Sequence, residues 1–140
     1  MKSLTAILII VGIIFCSCQH AHTKTEIEAA IQRYDLLFKS MNIDAISKMF
    51  TPDGKLGDIA RGRDSIKKFL LSFVNVKFLS QHSTKFIELK GDSATQTGTF
   101  LQCYVVNEKD TSCVKGSFKI KWRWLKGEGW KIKEMGGKLM

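Results

Sequence analysis

The side chains that could move protons, hold metals or attack a substrate are few and scattered along this chain. His82 is the only histidine in the stretch that reads as folded. An imidazole can serve as acid and base near neutral pH; here it falls between two extended pieces, where a surface histidine is equally ordinary. His20 and His22 have a spacing that could touch a metal, yet no third ligand stands out nearby, and both read as linker residues. Gln96, Gln102 and Tyr104 share one strand face with Phe100. If that face looks inward they line a pocket with polar groups, and a slip of one residue reverses it. Cys103 and Cys113 flank a hairpin loop. With three loop residues they stand directly opposed, within disulfide reach; with four they are diagonal and read as two small apolar residues. No triad, phosphate loop, zinc-spaced Cys/His set or dinucleotide fingerprint is present. Neither cofactor nor metal is expected.

The elements that must position these groups centre on Gly116–Trp124. Phe118, Ile120, Trp122 and Trp124 alternate with Lys119, Lys121 and Arg123, the period of a half-buried strand. Leu125–Gly129 is a Gly-rich turn, and Trp130–Lys133 returns. The tryptophan face needs a cover. Upstream, Thr25 with Glu28 reads as a capping box, and Ile27, Ala30, Ile31, Tyr34, Leu37, Phe38 and Met41 form one helical face. Asp44 opens a second short helix, Thr51-Pro52-Asp53-Gly54 reads as a turn, and Lys55–Ala60 is a short extended piece. A third helix begins at Gly62-Arg63-Asp64-Ser65. Val76–Ser80, Thr84–Leu89 and Ala94–Val106 then read as extended. Three helices followed by about four to six antiparallel strands predict an α+β domain.

The start of the chain carries an address. Met1-Lys2 and an apolar run from Leu4 to Phe15 have the make-up of a secretory leader, too short to span a bilayer. Phe15-Cys16-Ser17-Cys18 resembles a bacterial lipobox, with Cys18 as the lipidated residue. The expected organisation is a leader over 1–17, a tether over 18–24 and one domain over 25–140, lipid-anchored in a bacterial cell envelope. Removing the leader takes Lys2 from the net charge of +9. A basic surface of that size would raise nucleic acid as a partner in the cytosol; outside it, and without an aromatic-plus-basic motif, nucleic acid is not expected. A solvated basic sheet face, or attraction to anionic lipid beside the anchor, accounts for the charge.

The order of elements, with Asn42–Gly54, Arg61–Ile66, Gly91–Gly98 and Gly129-Trp130-Lys131-Ile132, resembles the SnoaL-like branch of the nuclear-transport-factor-2-like superfamily over residues 25–135. The resemblance implies a cone, the sheet wrapped around the helices, with a pocket at its open end. Members often dimerise through the outer sheet face. Some are isomerases, dehydratases or cyclases, and many are noncatalytic binding modules. The steroid-isomerase branch carries its general-base aspartate at the position of Asp58. Its oxyanion-binding tyrosine follows an arginine on the first helix, as in Arg33-Tyr34. A second donor, a protonated carboxylic acid, falls at Ile120 here, and the loop from Asp58 to Gly62 is short. The candidate catalytic residues are therefore Tyr34, Asp58 and His82, and the candidate pocket residues Tyr34, Gln96, Phe100, Gln102, Tyr104 and Trp122. With the second donor absent, Asp58 is expected to face solvent and Tyr34 to pack among Phe38, Phe69 and the tryptophans. The leading expectation is a binding module for a small, largely apolar ligand or a partner. A cofactor-free isomerase or lyase and a self-associating module stand beside it.

Overall fold

The computed structural model describes residues 20–106 and 108–140, so the apolar leader and Cys18 lie outside the described residues. At the middle of its sheet runs β5 (Asp110–Leu125). Its alternation holds: Ile120 and Trp122 are buried, while Lys119, Lys121 and Arg123 are exposed. β4 (Ser93–Val106) and β6 (Gly129–Leu139) flank it antiparallel, and β3 (Lys77–Lys90) extends the sheet beyond β4. On the other side come β1 (Phe50–Leu56) and the two-residue β2 (Ala60–Arg61), giving the order β2-β1-β6-β5-β4-β3. The junction of β1 with β6 is parallel, which corrects the expected all-antiparallel sheet to a mixed one. Almost the whole domain lies between these two strands, ample for the long connection that a parallel pair requires.

Helices α1 (Lys24–Lys39), α2 (Ile43–Lys48) and α3 (Arg63–Leu71) fill the inside of the curved sheet. Ile27, Ile31 and Tyr34 of α1, Ile43 and Ile46 of α2, and Ile66 and Leu70 of α3 pack with Phe50, Ile120, Trp122, Trp130 and Ile132 into one core. Both helix starts differ from the expected ones. Thr23 caps α1, its hydroxyl accepting from the Glu26 N–H, and Asn42 caps α2, its carbonyl accepting from the Ala45 N–H. Thr23-Lys24-Thr25-Glu26 and Thr25-Glu26-Ile27-Glu28 carry the same capping pattern two residues apart, so local sequence alone leaves the choice open.

Two further readings are corrected. Thr51–Gly54 is strand, not turn. The β1–β6 ladder is irregular between Phe50 and Lys55, so Pro52 sits where no regular bond needs its missing N–H. And β3 is one continuous strand through Gln81-His82-Ser83, with a register shift between Thr84 and Phe86.

Two glycines bring neighbouring strands into close approach. Gly98 pairs across to Phe118 and Gly116 to Phe100. A Cβ on Gly98 would lie 2.7 Å from Phe118 Cζ and collide with the Ser83 carbonyl oxygen; one on Gly116 would lie 2.7 Å from Phe100 Cζ and collide with the Lys138 oxygen. Each ring thus covers a glycine on the neighbouring strand, at a close backbone approach that no larger residue permits. The β4–β5 loop holds three residues, with Val106 opposite Asp110. Cys103 therefore faces Cys113 directly, and the two form a disulfide.

Candidate functional site

Between the helices and the inner sheet face lies a cavity of about 800 Å³. Its walls are mainly apolar, with Phe38, Phe69, Phe73, Phe78, Phe100 and Phe118 prominent. The register that turns Ile120 and Trp122 inward also turns Phe100 and Gln102 inward on β4. Six of the sequence candidates line this one cavity: Tyr34, Asp58, His82, Gln96, Phe100 and Gln102. Tyr104 and Trp122 do not.

Trp122 lies behind the wall, 2 % exposed, and its Nε1–H donates to Gln96 Oε1 at 3.0 Å. The Gln96 Nε2 group in turn donates to Thr84 Oγ1 at 2.8 Å. The amide of Gln96 is thus engaged at both ends. It fastens β5 to β4 and β3, which makes it a wall support more than a ligand group.

Tyr34 and Asp58 both border this one cavity, where they were expected apart, while Asp58 is exposed as expected. Met135 on β6 contacts Tyr34 and the turn that carries Asp58. The Tyr34 hydroxyl donates to Met135 Sδ at 3.5 Å, and the Gly57 N–H, in the turn that carries Asp58, donates to the Met135 carbonyl at 2.7 Å. Burial pushes the Tyr34 phenol well above its ordinary pKa, and the charge of Asp35 adds to this. It therefore stays a neutral donor, with only a weak sulfur acceptor. Asp58 is exposed, at the mouth. Ile120 occupies the wall where a second oxyanion donor was looked for.

His82 borders the cavity and is an exposed residue all the same, its ring edge-on to Phe38 and Phe118 at 5.9 and 6.0 Å. Its Nδ1 is 3.4 Å from Asp35 Oδ1. Asp35, Lys55 and Glu134 are cavity residues that sequence reasoning missed. Asp35 follows Tyr34 directly on α1, but its partner is 47 positions away and faces it only because β3 is unbroken. The expectation that His20 and His22 lack a third partner also fails: Glu26, in the first turn of α1, contacts both. That cluster is separate from the cavity.

This arrangement offers an apolar enclosure with a neutral hydroxyl donor, an imidazole–carboxylate pair and an exposed carboxylate at the entrance. It can hold a hydrophobic body and recognise one polar group on it.

A family model for the SnoaL-like domain matches residues 19–136. No match is found among curated proteins. Among solved structures, a ketosteroid isomerase-like protein from Erwinia carotovora atroseptica SCRI1043 superposes with a TM-score of 0.73 at 20% identity, over 83% of this chain and 95% of that one. An ntf2-like protein with a cystatin-like fold from Novosphingobium aromaticivorans gives 0.70 at 19% identity, covering 83% and 80%. A protein of Catenulispora acidiphila solved in complex with S-DNPA gives 0.69 at 13% identity, covering 82% and 91%. At these identities the likeness is one of fold.

Proposed function

The chain belongs to the SnoaL-like domain family, and we propose that it is a binding module whose cavity takes a small, largely apolar molecule carrying one polar group. The observation that carries this is the cavity itself: about 800 Å³, walled mainly by apolar side chains, six phenylalanines among them, with Tyr34 and the His82–Asp35 pair on the wall and Lys55, Asp58, Gln102 and Glu134 as further polar groups around it. Ligand pockets have this size and this division of labour. The test uses 8-anilinonaphthalene-1-sulfonate as an apolar fluorescent probe. Gly137 lies on the wall beside Phe100, where a Cβ would make ordinary contacts at 3.5 Å. Gly137→Val should fill the space and weaken probe binding at least about tenfold, with the melting temperature kept within a few degrees. Leu101→Ser, on the outer sheet face, should leave binding unchanged. If Leu101→Ser abolishes binding and Gly137→Val does not, the probe sits outside and the cavity reading fails. That outcome would favour the self-associating module instead, since Leu79, Phe86 and Leu101 are exposed together on β3 and β4.

A second reading is favoured by Tyr34 and Asp58 both bordering one cavity. In a cofactor-free isomerase, Asp58 would take a proton from carbon beside a ketone and return it two carbons further on, while Tyr34 donates to the enolate oxygen. With Ile120 in place of a second donor, one missing donor would slow such a reaction by roughly 10²–10³. Turnover of a β,γ-unsaturated ketone that disappears in Asp58→Asn, with probe binding intact, would establish it.

The domain is further proposed to be anchored in a bacterial cell envelope, outside the cytoplasm, by lipid on Cys18, on the strength of Phe15-Cys16-Ser17-Cys18 behind its apolar run. Cys18→Ala should leave an unprocessed precursor with no acyl label; normal processing and labelling would refute this.

A further inference from the structure

A second cluster of chemistry-bearing side chains sits at the entrance to α1, away from the cavity. We propose that His20, His22 and Glu26 form a binding site for a divalent transition-metal ion of the zinc type. His20 Nε2 lies 2.8 Å from Glu26 Oε1, and His22 Nδ1 lies 3.0 Å from Glu26 Oε2. The three ligand atoms are all within 4.8 Å of one another. Two imidazoles and one carboxylate are a known zinc donor set, leaving a fourth position for water.

The backbone builds this set. Thr23, just before α1, is extended (φ −104°, ψ 156°), and His20 and His22 both reach Glu26 from the segment ahead of it. The first turn of α1 then brings Glu26 beneath both rings, its own N–H fixed by the Thr23 cap. The outer shell is present as well. His22 is only 5 % exposed at its side chain, with its ring 4.4 Å from that of Trp124 and 5.1 Å from that of Trp130. Its Nε2 meets Asp92 Oδ1 at 3.0 Å, and Asp92 is itself held by the Trp124 N–H donating to its carbonyl at 2.7 Å. A carboxylate on the far nitrogen is the usual means of orienting a metal-bound imidazole.

His22 meets carboxylates at both nitrogens. A neutral imidazole has one N–H and one lone pair, so the two contacts are satisfied either by a doubly protonated ring donating to both carboxylates or by a metal ion on one nitrogen. With Nε2–H given to Asp92, the Nδ1 lone pair faces the Glu26 carboxylate, and a cation between them satisfies both. Such an ion would join the segment ahead of α1 to the β5–β6 hairpin and the β3–β4 turn.

The test is a calorimetric titration of ZnCl2 into the full chain, purified without a histidine tag and freed of metal with chelator. One saturable site is expected. His20→Ala, which alters an exposed side chain, and Glu26→Gln should each weaken it at least about tenfold, while His82→Ala leaves it unchanged. Cu²⁺, which the same donors also take, should quench tryptophan emission through Trp124 and Trp130, and less so in His20→Ala. Circular dichroism establishes that each variant is folded, and the exposed His20 keeps the test decisive even if Glu26→Gln disturbs the helix. Absence of saturable uptake up to about 1 mM zinc, or uptake unaltered by His20→Ala, overturns the proposal.

Discussion

The chain of hydrogen bonds from Trp122 through Gln96 to Thr84 makes a quantitative demand. Trp122→Phe removes the donor to Gln96 Oε1 and leaves that oxygen, on a residue 3 % exposed, without its partner. An orphaned buried acceptor costs about 1–3 kcal/mol. The apolar area lost in going from indole to phenyl adds about 1 kcal/mol at 25 cal/mol per Å². The expected loss is therefore about 2–4 kcal/mol. With a urea slope of about 1.5 kcal/mol per M for a domain of this size, a loss near 3 kcal/mol lowers the midpoint by about 2 M. In a Gln96→Leu background the acceptor is already gone, so Trp122→Phe should cost about 1–2 kcal/mol less there. Far-UV circular dichroism follows the unfolding, because tryptophan emission is itself altered by the substitution. Additivity of the two substitutions within about 0.5 kcal/mol would refute the chain. A loss under about 1 kcal/mol for Trp122→Phe would place that ring outside a tightly packed interior.

Gly98→Ala should lower stability by about 3 kcal/mol or more, since the added carbon meets the backbone of Ser83 as well as the Phe118 ring; a melting temperature within a few degrees of the wild type would contradict it. Acid should weaken the fold through two paired carboxyls. Asp53, hydrogen-bonded by Lys133 and Thr51, and Asp44, hydrogen-bonded by Lys48 and Lys67, are each held near a pKa of about 2 against an ordinary 3.8. A depressed carboxyl stabilises fully above its unfolded pKa and loses that contribution as pH falls through the folded one. The melting temperature should thus drop between about pH 4 and pH 2, and less steeply in Asp53→Asn; identical slopes would exclude Asp53 as a contributor.

The parts of this fold legible in the sequence are those set by local periodicity. The alternation around Trp122 placed Ile120 and Trp122 inward and the lysines outward, and the face through Ile27, Ile31 and Tyr34 is buried as its spacing requires. The inward face of β4 was legible to the extent that Phe100 and Gln102 reach the cavity. What was not legible depends on partners far along the chain. Pro52 looks like a turn until the irregular ladder to β6 is known. His82 reads as a surface residue and is exposed, but its approach to Asp35 depends on an unbroken β3. Tyr34 and the turn that carries Asp58 border one cavity by way of Met135, about a hundred positions after the first. Glu26 was legible as a helix-start residue, but its side chain turns back to the histidines instead of to the helix.

The reciprocal glycine and phenylalanine pairs bear on how the preference of such a cavity could diverge. Phe100 and Phe118 line the cavity and also cover two glycines where the backbones approach closely. Shrinking either ring to admit a bulkier guest uncovers a glycine, and enlarging either glycine to exclude one meets both a ring and a backbone oxygen. On this wall, sheet packing and selectivity are inherited together. The opposite wall is built from helices, for Phe69 and Leu70 come from α3 and Ile31 from α1. Lineages that change their guest should do so by substitution on the helices, with the sheet side serving as a conserved mould.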